Sequence, residues 1–258
     1  MSTLALAGGP IDYVWAAPPA AGRPTLVFLH EGLGSISLWR DFPAAVGRAT
    51  GCGVLVYSRY GYGNSAPCPL PRPLDYMHVE AREVLPELLD RLAIGPHVLV
   101  GHSDGASIAL IHAGSGPRPD LIGVAVMAPH VFVEEVATGS IAMARVAWET
   151  GDLRDRLARH HADVDTAFRG WNDAWLDPRF RAWNIEEFLP HITVPVLALQ
   201  GEGDEYGTAA QVETVARVTG GDLVLLPDCG HSPHRDQPQA TLTALSSFIN
   251  QLPARLPA

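Results

Sequence analysis

The chain has 258 residues, 47% of them hydrophobic and 18% charged, with 18 basic against 28 acidic side chains and a formal net charge of −10. Every basic residue is an arginine, so a Schiff-base lysine, a pyridoxal phosphate anchor and a phosphate-loop lysine are excluded, and kinase and P-loop chemistry with them. The acidic balance argues against a nucleic-acid partner, and the length suits one sizeable domain with room for an inserted subdomain.

Met1–Ala5 lacks the basic start and apolar run of a secretory leader, and no stretch approaches the roughly 18 apolar residues of a spanning helix. The expectation is a cytoplasmic protein with no membrane partner. Ile11–Ala17 alternates and predicts an antiparallel edge strand. Six further runs are almost continuously apolar: Thr25–His30, Gly53–Ser58, His97–His102, Ile122–Ala128, Val194–Gln200 and Leu223–Pro227. That is how strands buried on both faces of a parallel sheet read. Helical spacing appears over Asp75–Ala93, where Pro86 is expected to introduce a bend, and over Asp104–Ala113, Thr208–Val218 and Pro238–Leu252. Strands alternating with helices predict an α/β fold, a mostly parallel central sheet flanked by helices.

The alternation stops over residues 131–191, which are Arg/Asp-rich, helical in pattern and carry Trp148, Trp171, Trp175 and Trp183. A helical cap inserted into a core of residues 1–130 and 192–258 is the expected organisation. Pro67–Pro73 is expected to be an ordered surface loop. Cys52, Cys68 and Cys229, an odd count without a CxxC pair, are expected to be reduced thiols.

The chemistry concentrates at Gly101-His102-Ser103-Asp104-Gly105, where a predicted buried strand meets a predicted helix. A chain that turns sharply there lifts a serine hydroxyl above the sheet, and a side chain at either glycine would meet neighbouring backbone. A serine hydroxyl needs a base and an orienting carboxylate to become nucleophilic. Asp204 follows the strand Val194–Gln200 and His231 follows Leu223–Pro227, so all three side chains should emerge at one edge of the sheet. Glu202 and Glu205 compete with Asp204, and His234 with His231. Two backbone amides are expected to form the oxyanion hole: Asp104, at the start of the helix after Ser103, and Gly32, in the loop Glu31-Gly32-Leu33-Gly34-Ser35.

Together these residues resemble the α/β-hydrolase superfamily. Ser58-Arg59-Tyr60-Gly61-Tyr62-Gly63-Asn64-Ser65 is similar to its D-x-x-G-x-G-x-S loop, and Gly230-His231-Ser232-Pro233 with Pro238 is similar to its histidine loop. The likeness spans about residues 25–116 and 194–248 and leaves the cap unmatched. Two positions depart from the pattern: Glu31 stands where glycine usually follows His30, and Ser58 where the loop motif has Asp. Glu31 is expected either to form a buried polar contact or to restrict the acyl group. With Leu33, His102 and Phe132 it is a candidate pocket residue.

His160-His161 with Asp163 and Asp165 suggests a metal site, but adjacent helical side chains point about 100° apart, and no metal is expected. The resemblance implies a serine hydrolase of a carboxylic ester, thioester or related acyl bond, with Ser103 as nucleophile, His231 as base and Asp204 as its orienting acid. The expected partner is a small acyl substrate. No cofactor is expected, and a homo-oligomer remains compatible with the chain. Carbon–carbon bond hydrolysis, cofactor-free peroxide chemistry and non-catalytic ligand binding on the same scaffold stay open at this point.

Overall fold

The computed structural model describes residues 1–253; the last five residues of the predicted core, 254–258, lie outside them. Eight strands form one sheet: β1 (Ser2–Leu6), β2 (Gly9–Ala17), β3 (Thr25–Leu29), β4 (Gly53–Tyr57), β5 (His97–His102), β6 (Leu121–Met127), β7 (Val196–Gly201) and β8 (Asp222–Leu226). Their order across the sheet is β1-β2-β4-β3-β5-β6-β7-β8. β2 is antiparallel to both neighbours, and all other pairings are parallel. The helices are α1 (Phe42–Thr50), α2 (Tyr76–Val79), α3 (Leu85–Arg91), α4 (Asp104–Gly114), α5 (Glu135–Thr150), α6 (Leu153–Leu157), α7 (Val164–Leu176), α8 (Ala210–Thr219), α9 (Pro233–Asp236) and α10 (Pro238–Gln251).

The continuous apolar runs follow from helices covering both faces of the sheet. In β3, Leu26 and Phe28 face one core while Val27 and Leu29 face the other; in β5, Val98 and Val100 oppose Leu99 in the same way. One core is closed by Phe42 and Val46 of α1 with Leu245, Phe248 and Ile249 of α10. The other is closed by Leu85, Leu88 and Leu89 of α3, Ile108 and Ile111 of α4, and Val212 and Val215 of α8. Burying each such side chain stabilises the fold by roughly 1.5–3 kcal/mol before the entropy of ordering it is subtracted.

The expectations are corrected at three places. Ile11–Ala17 belongs to β2, which is not an edge, because β1 adds outside it. The true edge, β1, is largely exposed and so lacks an apolar signature. At the other edge β8 pairs only with β7 and leaves Leu223 and Leu225 exposed, so its apolar run does not mean burial on both faces. The segment predicted as one helix over Asp75–Ala93 is α2 and α3 joined by a π-helical turn over Glu80–Val84. That turn places Pro86 in the first turn of α3, where its missing N–H leaves no intrahelical bond unmade.

Between β6 and β7 the chain forms α5, α6, α7 and two 3-10 turns, and an antiparallel bridge pairs Phe132, just after β6, with Asn184. Within this helical segment Trp175 is 1% exposed, Trp183 stacks on Phe180, and Trp148 stacks on Phe168.

Candidate active site

The parallel strands β3, β5, β7 and β8 end at the same edge of the sheet, and the loops that follow them carry Glu31–Gly34, Ser103, Asp204 and His231. Ser103 sits directly between β5 and α4 with φ 52° and ψ −121°, a left-handed backbone that a non-glycine residue adopts only under constraint. The constraint is visible in the neighbouring hydrogen bonds. Ser103 N–H donates to the Met127 carbonyl at 2.9 Å, and the Ser103 carbonyl accepts from Ala106 and Ser107 at 2.8 and 3.0 Å. A Cβ at Gly105 would strike the Leu29 carbonyl, and one at Gly101 would strike the Gly105 carbonyl and Ala106. The two glycines thus permit the close packing of turn on strand that presents the serine.

Ser103 Oγ lies 2.9 Å from His231 Nε2, and His231 Nδ1 lies 2.8 and 3.0 Å from the two Asp204 oxygens. Nδ1–H therefore donates to the carboxylate, leaving Nε2 free to accept the serine proton. Asp204 Oδ1 also accepts from the Tyr206 and Gly207 amides at 2.8 and 3.2 Å. Burial pushes the Asp204 carboxyl up, but the His231 hydrogen bond and charge and the Tyr206 amide outweigh it and hold the group below the usual range. Of the rival residues, Glu205 accepts from His231 N–H at 3.1 Å and Glu202 is exposed. His234 is buried against Trp39 and Phe42, where burial and the neighbouring His102 push its pKa down to about 3.

A cavity of about 230 Å³ opens above Ser103, and Glu31, Gly32, Leu33, His102 and Asp104 are among its walls. The Glu31 carbonyl accepts from Arg59 Nη2 at 2.9 Å, His30 Nδ1 at 2.7 Å and Gly34 N–H at 3.0 Å. Across a trans peptide the next N–H points the opposite way, so these three donors turn the Gly32 amide away from Arg59. Neither the Gly32 nor the Asp104 amide has a protein acceptor among the described residues. His161 steadies the same loop, accepting from Gly63 N–H at 3.1 Å and donating to the Leu33 carbonyl at 3.0 Å. His160 contacts Ser37 Oγ at 2.8 Å, so the two adjacent histidines do different work.

His102 Nε2–H donates to the His231 carbonyl at 2.7 Å, and its Nδ1 faces Glu31 Oε2 at 3.5 Å. Burial would raise the Glu31 carboxyl, yet the neighbouring His102 holds it well below the usual range, so it is charged at neutral pH. Phe132 is a correction, since it does not line the cavity. Gln211 accepts from Val131 N–H at 2.7 Å and donates to the Phe132 carbonyl at 3.1 Å, turning that residue toward Asn184. His130 lines the wall in its place.

Sequence reasoning missed Ile141, Trp171, Trp175, Glu205, Tyr206 and Ser232, which complete the lining. The tryptophans carried a signal as residues of the helical segment, but nothing local told which of the four would face the nucleophile. Also missed is a buried polar support under Asp104. Its Oδ2 accepts from Tyr76 Oη–H at 2.6 Å and lies 3.8 Å from Arg59 Nη2, and Trp175 Nε1–H reaches Tyr76 Oη and Asp104 Oδ1 at 3.1 and 3.3 Å.

The model of the Alpha/beta hydrolase family matches residues 26–244. The chain is 25% identical to the sn-1-specific diacylglycerol lipase ABHD11 of Mus musculus, over 89% of this chain and 82% of that protein. It is also 25% identical to the 2-succinyl-6-hydroxy-2,4-cyclohexadiene-1-carboxylate synthase of Serratia proteamaculans, over 89% of this chain and 94% of the relative. Among solved structures, the enol-lactonase from Burkholderia xenovorans superposes with a TM-score of 0.73 at 21% identity, covering 97% of this chain and 100% of the other. That last likeness is one of fold.

Proposed function

We propose that this chain, which belongs to the alpha/beta hydrolase family, is a serine hydrolase of a small carboxylic ester, thioester or related acyl bond. One observation carries the reading: the unbroken line from Asp204 through His231 to Ser103 Oγ, at 2.8 and 2.9 Å, on the floor of a cavity. Ser103 Oγ attacks the acyl carbon as its proton passes to His231 Nε2, and Asp204 stabilises the imidazolium so formed. The amides of Gly32 and Asp104 take the oxyanion; each such donor contributes roughly 3–4 kcal/mol to transition-state stabilisation. His231 then protonates the leaving group, and water deprotonated by His231 cleaves the acyl-enzyme. These steps draw only on groups of the chain, so the reading includes no cofactor.

The cavity supports a small substrate, since about 230 Å³ lies below the roughly 300–1,000 Å³ of drug-sized sites. That size argues against the long chains of a diacylglycerol. The carboxylates in the product named for the Serratia relative are also poorly matched to walls that include Glu31 and Glu205 and no arginine. No helix among the described residues is long and apolar enough to cross a membrane, and a cytoplasmic location belongs to the same reading.

The test pairs wild type with Ser103→Ala on p-nitrophenyl esters of two to eight carbons and on a fluorophosphonate probe. Hydrolysis and labelling by wild type alone are expected, with both variants melting at the same temperature. Undiminished hydrolysis by Ser103→Ala, or a wild type that neither hydrolyses nor labels, overturns the assignment.

A further inference from the structure

Resting on the acyl-hydrolase reading, we propose that the cavity above Ser103 selects esters bearing a positively charged amine, on the acyl or the alcohol side. The walls combine two carboxylates, Glu31 and Glu205, with the aromatic side chains of Trp171, Trp175 and Tyr206, and include no arginine. Carboxylates and aromatic rings around one small space are the groups that recognise an ammonium ion. Glu31 Oε2 lies 3.5 Å from His102 Nδ1, and no guanidinium pairs closely with either carboxylate among the described residues. Arg235 approaches Glu31 Oε1 only to 3.8 Å, and its Nη2 donates to the Leu38 carbonyl. Glu205 accepts one backbone N–H, from His231, and has no basic side chain within 4.0 Å among the described residues.

A third wall supplies an independent sign. His130 is 2% exposed and its Nδ1 has no hydrogen-bond partner. Burial and the neighbouring His231 push its pKa down to about 3, so it lines the cavity as a neutral imidazole and adds no cation. An anionic acyl group would enter against two carboxylates with no guanidinium to receive it.

Two isosteric pairs test this. On the acyl side, the p-nitrophenyl esters of 4-(trimethylammonio)butyrate and 5,5-dimethylhexanoate differ only in nitrogen for carbon, with the p-nitrophenyl ester of monoglutarate as the anionic analogue. On the alcohol side, choline butyrate is compared with 3,3-dimethylbutyl butyrate. The readout is the cationic-to-neutral ratio of kcat/KM within each protein, so a general loss of activity cancels. In wild type at least one pair favours the cation by about tenfold or more, and the monoglutarate ester is the poorest of its series. In Glu31→Gln with Glu205→Gln the ratio falls toward one.

A wild-type ratio of one or less in both pairs overturns the proposal, as does a preference that survives the double substitution. Should the double variant fail to fold, Glu31→Gln and Glu205→Gln are read singly, each lowering the ratio. A wild type that labels at Ser103 and hydrolyses neutral esters without charge preference refutes this inference alone. One that does not label refutes the hydrolase reading beneath it.

Discussion

Tyr76→Phe removes one oxygen atom from the support beneath the site and tests whether that support matters. Tyr76 is 6% exposed, and burial with the neighbouring Asp104 raises its pKa well above the usual value, so its hydroxyl keeps its proton and donates at 2.6 Å to Asp104 Oδ2. Asp104 has no exposed surface, and water cannot take the donor's place. A hydrogen bond to a buried charged group contributes about 1.5–3 kcal/mol, and losing it leaves the carboxylate with Trp175 Nε1–H at 3.3 Å and the Arg59 guanidinium at 3.8 Å. The expected loss of stability is about 2–3 kcal/mol, which for a chain of this size lowers Tm by roughly 5–10 °C. Because the Asp104 amide is one of the two proposed oxyanion donors, kcat should fall about tenfold with KM little changed. Thermal unfolding and ester kinetics on the same preparation read both effects. A Tm within about 2 °C of wild type, with kcat unaltered, refutes the view that the hydroxyl braces Asp104 and, through it, the amide.

Two further substitutions probe the scaffold. His112 is 1% exposed and donates from Nδ1 to the Ala81 carbonyl at 2.8 Å, and burial pushes its pKa down to about 4. The unfolded chain takes up that proton near pH 6.5, whereas the folded chain does so only near 4; the neutral form's stability is complete above 6.5 and is lost as pH falls toward 4. At pH 5 the loss is about 2 kcal/mol, so urea unfolding at pH 7.5 and 5 should show His112→Gln losing about that much less than wild type; equal losses would refute it. Gly105→Ala drives a Cβ into the Leu29 carbonyl of β3, and neither partner is a flexible side chain. Insoluble protein, or a Tm lowered by roughly 10 °C or more, is expected; a soluble variant with wild-type Tm contradicts the packing.

The legible parts of fold and site were those written in short segments. A strand buried on both faces is an unbroken apolar run, as in Leu26–Leu29, and a crowded turn needs glycines on both sides of Ser103. Asp204 and His231 were legible because each follows such a run. What escaped depends on contacts between segments far apart in the chain. β1 has exposed or half-buried side chains at four of its five positions, so no hydrophobic pattern marks it. α1, with few large apolar residues and a glycine in its interior, becomes a helix by packing Phe42 and Val46 against α10 and the sheet. Trp171 reaches the cavity only because α7 packs its indole on the loop after β3, where Gly32 has room for nothing larger.

The two departures from the family pattern are each answered by a residue elsewhere. Ser58 replaces the loop motif's Asp, but Asp12 of β2, 4% exposed, brings a carboxylate to the same turn. Asp12 accepts from Ser65 Oγ–H at 2.7 Å and Asn64 N–H at 3.3 Å, while Ser58 Oγ accepts from Ile36 N–H at 3.2 Å. The turn keeps a buried acid, supplied through the antiparallel pairing of β2 with β4. Glu31 poses the harder problem, because a carboxylate beside a developing oxyanion opposes it. Beneath the loop, the fully buried Arg59 guanidinium donates to the Glu31 carbonyl, in the peptide that carries the Gly32 N–H, and lies 3.8 Å from the Asp104 side-chain carboxylate. The Glu31 side chain itself faces other groups, with His102 Nδ1 3.5 Å from Oε2 and Arg235 Nη2 3.8 Å from Oε1, and the Arg235 guanidinium offsets part of its charge. Arg59, from the same loop that has lost its motif Asp, faces the Asp104 carboxylate, so this guanidinium steadies the Glu31 carbonyl while the Glu31 charge is met from His102 and Arg235.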